Sequence, residues 1–157
     1  MKIAVITVSD RASAGVYADR SGPAVVEALR EAHPDAEIGL EVVPDGVEPV
    51  RAALGRALAG GADWILTTGG TGPAPRDRTP EAVMEFCDRP VPGIAEYLRS
   101  ESLRETPTAV FSRACSGMRG AAFVVALPGS ERGARFCARL LAPLLAHGRA
   151  MARGEGH

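Results

Sequence analysis

Lysine is nearly missing from this chain. Lys2 is the only one, and the other basic residues are arginines. That scarcity excludes a P-loop, whose GxxxxGK[ST] pattern needs a lysine beside the glycines. It also means that any cation touching a ligand is an arginine, which binds through planar, often bidentate contacts. Net charge is equally sparse, at −1. No basic footprint for nucleic acid or for an acidic membrane follows from it. The three cysteines, Cys87, Cys115 and Cys137, are far apart and form no CxxC, so neither a zinc site nor a disulfide framework is indicated. His33, His147 and His157 stand at metal spacing from no cysteine or carboxylate. No apolar run approaches a membrane span. The run Ile3-Ala4-Val5-Ile6 meets Ser9-Asp10-Arg11 too soon for a signal peptide. A first β-strand and a cytoplasmic location are therefore expected. Repeats, linkers and low-complexity segments are lacking as well.

What is present is an alternation of short strands and helices. The 157 residues suit one domain, 1–153, with a frayed tail at 154–157. Lys2–Val8, Glu37–Val43 and Asp63–Thr68 read as strands rich in branched apolar residues. Helices are expected over Gly22–Ala32, around Val50–Leu58, from Thr79, over Ile94–Leu103, and after Ser130. Pro143 should kink or split the last one. Ala109–Ala114 and Ala122–Leu127 read as two further strands joined through Gly117–Gly120. The β-α-β-α-β order predicts an α/β fold, a three-layer sandwich with a mainly parallel central sheet and helices on both faces. Ser9–Ser21, Pro44–Gly46, Gly69–Arg78 and Pro128–Ser130 each follow a strand. Topology gathers them at one sheet edge.

The richest loop lies in TTGGTGPAPRDRTPEAV, Thr67–Val83. It is not a Rossmann fingerprint, because the third glycine is missing at its spacing. Gly69, Gly70, Thr71 and Gly72 form either a plain glycine turn or a cradle of backbone N–H groups for an anion. Thr79 reads as the N-cap of the helix that follows, with Pro80 at its first position. Asp45 fits a capping box with Glu48, and Asp77 fits an Asx-type turn. Alternatively, the two aspartates hold Mg²⁺, which takes one or two carboxylates plus substrate phosphate oxygens. Arg76 and Arg78 are either solvated or phosphate partners. Ser9, Asp10 and Ser13 suit loop turns or ligand contacts equally. Ser130 reads as the N-cap of the last helix, a position that also aims N–H groups at an anion.

Several segments together resemble one family, the molybdopterin adenylyltransferases (MoaB/Mog) of molybdenum cofactor biosynthesis. They are VSDRASAGVYADRSG, VPDG, TTGGTGPAPRDRTPEAV, PGIAEYLR, FSRACSGMRG and ALPGS, in that order along nearly the whole chain. The resemblance implies a sheet-centred α/β fold, a homotrimer or possibly a hexamer, and MgATP-dependent adenylylation of molybdopterin with release of pyrophosphate. It places the catalytic and metal-holding aspartates at Asp45 and Asp77. Nucleotide and phosphate contacts fall on Gly69, Gly70, Thr71, Gly72, Pro128, Gly129 and Ser130, and pterin contacts on Ser9, Asp10, Ser112 and Ser116. The nucleophile would be an already anionic phosphate, so no Ser–His pair is required, and the sequence offers none. Where many members follow the Leu-Pro-Gly run with Pro-Lys, this chain has Glu131-Arg132. As a short standalone form it is expected to need a separate molybdate-insertion protein. A non-catalytic molybdopterin-binding carrier is the alternative, and a scaffold role the third.

Overall fold

The computed structural model describes residues 1–155. Its sheet has six strands: β1 (Lys2–Val8), β2 (Glu37–Val43), β3 (Trp64–Thr68), β4 (Arg89–Pro90), β5 (Ser116–Arg119) and β6 (Ala122–Leu127). Their order is β2-β1-β3-β6-β5-β4. β1, β2, β3 and β6 run parallel, while β5 is antiparallel to β6 and to β4. Val8 is level with Val43, Thr7 with Thr68, and Thr68 with Leu127. The carboxyl ends of all four parallel strands therefore finish on one edge.

Burial on both faces explains the strand composition. Every residue of β3 and β6 is buried. Alternate side chains enter two separate cores. Ile3, Val5, Trp64, Leu66, Val125 and Leu127 pack on one face against α2 (Ser21–Ala32), α5 (Pro92–Glu105) and α6 (Glu131–Leu141). Ile6, Val8, Ile65, Val124 and Ala126 pack on the other against α3 (Val47–Ala59) and α4 (Thr79–Phe86). The expected three layers are present. Trp64 stacks on Phe123 with ring centroids 4.3 Å apart, and its Nε1 donates to the Leu145 carbonyl at 3.1 Å.

The structure departs from expectation in two places. A short helix, α1 (Asp10–Ser13), interrupts the first loop, with Ser9 as its N-cap. Ala109–Ala114 is not a strand: Pro107–Phe111 forms a 3₁₀ turn that leaves Val110 and Phe111 exposed. The Arg99 side chain donates to the carbonyls of Ser112 and Ala114, tying that segment to α5 instead of to a sheet edge. The strand begins only at Ser116, and Gly120 turns it into β6. After Pro143 splits the C-terminal helix, α7 (Leu145–Ala152) ends in a Schellman closure, with Gly154 N–H on Met151 O and Glu155 N–H on Ala150 O. The rest of the anticipated frayed tail, 156–157, lies outside the described residues.

Among the described residues no helix is long and apolar enough to cross a membrane. All three cysteines are free. Burial pushes the thiols of Cys87 and Cys115 up to about 11 and about 12, so both stay protonated at neutral pH.

α7 is fastened to the sheet by Asp63, just ahead of β3. Its buried carboxylate accepts from Lys2 N–H at 2.8 Å and meets Arg149 at 3.0 Å and Arg153 at 2.7 Å. Burial alone would raise the carboxyl's pKa. The Lys2 N–H and the two guanidiniums outweigh it and hold the group below the usual carboxylate range. A depressed folded-state pKa contributes stability above the unfolded value, near pH 4, that is lost as pH falls through the folded one. Asp63→Asn should therefore cost about 2 kcal/mol at neutral pH. The deficit should shrink as pH drops below about 4 in urea titrations.

Candidate active site

Where the four parallel strands end, a cleft of about 300 Å³ opens. Residues from all four exit loops line it: Ser9, Asp10, Arg11, Tyr17, Asp19 and Arg20 after β1, Asp45 after β2, Gly69, Gly70, Arg76 and Asp77 after β3, and Gly129, Ser130 and Glu131 after β6. A larger groove of about 750 Å³ beside α5 and α6 is a weaker candidate. Its charged residues are already matched to one another or to neighbours, Arg132 with Glu105 and Arg135 with Glu27.

Two glycines shape the cleft floor. Gly69 has φ 104°, and a Cβ there would lie 2.3 Å from the Val8 carbonyl oxygen. On its other side Gly129 comes so close that its own Cβ would lie 3.0 Å from Gly69 Cα. Gly70 has φ 63°, and its Cβ would fall 2.3 Å from Thr79 Oγ1. The three chain exits thus meet backbone to backbone, and bare main chain faces the cleft. Thr68 Oγ1 adds a 2.7 Å bond to the Pro128 carbonyl.

Asp45 does not cap α3. The N-cap is Gly46, with no side-chain cap bond. Asp45 turns instead to the first loop: its Oδ2 accepts from Asp10 N–H at 2.9 Å, while Asp10 Oδ1 accepts from Asp45 N–H at 3.0 Å. The exits of β1 and β2 are latched together by two aspartates, each satisfied by a backbone donor. Asp77 turns backward, not forward toward Thr79. Its Oδ2 accepts from Ala74 N–H at 3.2 Å, and its own N–H donates to Ala74 O. Thr79 is the first residue of α4 and not its cap; Arg78 holds that position without a side-chain bond. The reason is one hydrogen bond: Thr79 N–H donates to Gly70 O at 3.1 Å and draws the residue inward. Its hydroxyl is buried without a partner, as is that of Thr67 in β3.

Arg113 secures this loop from outside. Its N–H donates to Thr71 O, its Nε to Gly72 O at 3.0 Å, and its guanidinium to Asp77 O and to both Glu81 oxygens. The hydrogen bonds from Arg113 hold the Glu81 carboxyl below its usual range. Arg78 also leans on Glu81, at 3.8 Å. Of the two arginines flanking Asp77, only Arg76 lines the cleft. Arg11, over the Tyr17 ring at 5.4 Å, and Arg20 join it. Arg132, one of the two residues by which this chain departs from the Pro-Lys expected by resemblance, is exposed and paired with Glu105. Glu131 lines the cleft.

Nine of the thirteen anticipated site residues fall in or beside this cleft: Ser9, Asp10, Asp45, Gly69, Gly70, Asp77, Gly129 and Ser130 line it, and Pro128 adjoins through Thr68. Ser9 caps α1 and Ser130 caps α6 by accepting from Gly133 N–H. Thr71 and Gly72 are drawn toward Arg113. Ser112 and Ser116 do not line the cleft. Ser112 accepts from Ala114 N–H, and Ser116, buried, bridges Val91 O and Ala95 N–H. Arg113 and Asp19 were not anticipated. Asp19 accepts from Thr7 Oγ1 and Gly22 N–H, fixing the start of α2. An aspartate three residues before the first helical glycine is a capping signal that local reading can find. Arg113 had no such signal.

Among the described residues no three or more His, Cys, Asp or Glu side chains gather to hold a metal. Asp45 and Asp77 in one cleft still suit Mg²⁺, which binds through one or two carboxylates together with substrate oxygens. Gly69→Ala combines a left-handed φ with a backbone collision and should lower the unfolding free energy by about 3 kcal/mol in urea melts. Arg113→Met should loosen the loop without unfolding the domain. Trypsin should then cut after Arg76 or Arg78 about tenfold faster, as followed by mass spectrometry.

Residues 4–147 match the family described as probable molybdopterin binding domain. A molybdenum cofactor biosynthesis bifunctional protein of Synechococcus elongatus is 44% identical over 98% of this chain. The chain spans about half of that protein, 48% of its length. A molybdopterin adenylyltransferase of Helicobacter pylori is 40% identical, over 91% of this chain and 82% of its own length. The crystal structure of the molybdopterin biosynthesis enzyme MoaB from Thermus thermophilus superposes with a TM-score of 0.89 at 41% identity, covering 98% of this chain and 96% of that one. Matched along this length, in both sequence and fold, the chain belongs to the family of probable molybdopterin binding domains.

Proposed function

We propose that this chain is a molybdopterin adenylyltransferase, transferring the adenylyl group of ATP to the terminal phosphate of molybdopterin and releasing pyrophosphate. One observation carries the reading: Asp45, Asp77, Arg11, Arg20 and Arg76 converge on a cleft floored by bare glycine backbone. Such a site is built to position and neutralise phosphates. It does not need to activate a weak nucleophile.

An oxygen of the molybdopterin phosphate attacks the α-phosphorus of ATP. The bond from that phosphorus to the oxygen bridging toward the β-phosphate breaks, and its electron pair leaves with pyrophosphate. No proton has to move, because the attacking oxygen is already anionic near neutral pH. Asp45 and Asp77 would hold Mg²⁺, which neutralises charge on the leaving pyrophosphate when bound. Arg76, on the same loop as Asp77, contacts phosphate oxygens. Ser130, the N-cap of α6, places the helix's positive end beside the anions. Ser9 and Asp10 contribute the pterin side. A homotrimer, a cytoplasmic location and a separate molybdate-insertion protein belong to the same reading.

The test is anaerobic incubation with MgATP and molybdopterin. Pyrophosphate and adenylylated pterin in equal amounts are expected. Tight pterin binding without pyrophosphate would instead favour the carrier reading. Asp77→Asn keeps an acceptor for Ala74 N–H but loses the charge. Turnover should fall by about a thousandfold with the melting temperature unchanged.

A further inference from the structure

Thr79 stands out because its hydroxyl does no work in this structure. The residue is fully buried, and Oγ1 has no hydrogen-bond partner. A buried hydroxyl left unpaired destabilises a fold, and replacing it with an apolar isostere is commonly neutral or better. The hydroxyl is also not idle by distance. From the point where a Gly70 Cβ would stand, Thr79 Oγ1 is 2.3 Å away and Asp45 Oδ1 is 3.4 Å away. Both oxygens border the same small space, which exists because residue 70 has no side chain.

Asp45 has one oxygen engaged and one facing that space. Oδ2 accepts from Asp10 N–H. Oδ1 lies 3.4 Å from where a Gly70 Cβ would stand, beside the same space that Thr79 Oγ1 borders. A hydroxyl can donate one proton and rotates to suit its acceptor. Rotation of the Asp45 carboxyl about its Cβ–Cγ bond moves Oδ1 relative to Thr79.

We propose that Thr79 is a positioning residue for the adenylyl transfer: its hydroxyl donates to Asp45 Oδ1 in the reacting complex. With Asp10 N–H on Oδ2 and Thr79 on Oδ1, the carboxylate plane is fixed. The remaining lone pairs are then aimed at the cleft. This rests on the adenylyltransferase reading and adds a residue to it. Gly70 gains a second reason to be glycine, since any side chain would fill the space across which the bond forms.

The experiment compares Thr79→Val, Thr79→Ser and Thr79→Ala with the wild type. Wild-type pyrophosphate release comes first; its absence sinks the adenylyltransferase reading whatever Thr79 does. Thr79→Val should melt at the same or a higher temperature than wild type, yet turn over about tenfold more slowly, with kcat affected more than KM for ATP. Thr79→Ser keeps the hydroxyl and should stay within about threefold of wild type, while Thr79→Ala matches Thr79→Val. The rise in melting temperature on adding MgATP should be the same in all three variants as in wild type, because the ATP-bound ground state does not depend on the Thr79 bond. Wild-type kcat in Thr79→Val, or equal rates for Ser and Ala, would overturn the proposal. Should the valine variant fail to fold, the Ser and Ala pair still decides, because both lose the methyl and only one loses the hydroxyl.

Discussion

The contact of Gly69 with the end of β1 sets the geometry of everything above the sheet. β1 and β3 are neighbours at the point where strand order reverses, with β2 beyond one and β6 beyond the other. Ligand crevices in open α/β sheets form at such a point. Here the chain leaving β3 must pass over Val8, which leaves no room for a Cβ at residue 69, and against Gly129, whose own Cβ would crowd Gly69 Cα. Bare backbone is therefore a packing requirement before it is a binding device. Gly70 then reverses the chain, and its carbonyl catches Thr79 N–H to begin α4. The intervening segment closes on itself through Ala74 and Asp77 and delivers that aspartate to the cleft.

The acids of the cleft are held without consuming its cations. Asp10 and Asp45 satisfy each other through main-chain N–H groups, and Asp77 uses Ala74 N–H. Arginines elsewhere are drawn into pairs: Arg113 and Arg78 with Glu81, Arg132 with Glu105, Arg135 with Glu27. Arg11, Arg20 and Arg76 line the cleft itself. A site for two phosphate-bearing substrates needs this division. An arginine already committed to a carboxylate has less to offer an incoming phosphate.

Much of this was legible in the sequence, and the failures have causes. Lys2–Val8 and Glu37–Val43 were recognisable to the residue because branched apolar runs end at polar loops. The split at Pro143 followed from its missing N–H. Ala109–Ala114 misled because Val110 and Phe111 look like strand residues, and only three-dimensional context shows them exposed on a 3₁₀ turn. The true strand, Ser116–Arg119, has little β propensity of its own and is stabilised by pairing between β4 and β6. Arg113 was invisible for a related reason: its partners are carbonyls and a carboxylate more than thirty residues away in sequence.

The capping errors are the most instructive, because both fall at the cleft. Local chemistry offers Asp45 as a cap for α3 and Thr79 as a cap for α4. Neither helix has a side-chain cap bond. α1 and α6, whose caps Ser9 and Ser130 also border the cleft, keep theirs. A cap is worth about 1 kcal/mol, so forgoing two is a measurable concession in a domain of this size. The Asp45 carboxylate is instead turned toward Asp10, and the Thr79 hydroxyl toward Gly70, where it earns no bond at all. Side chains that abandon a favourable local role tend to do so at functional sites. Here both abandonments point into the space beside Gly70, and that convergence locates the working end of the site more sharply than the glycine pattern alone.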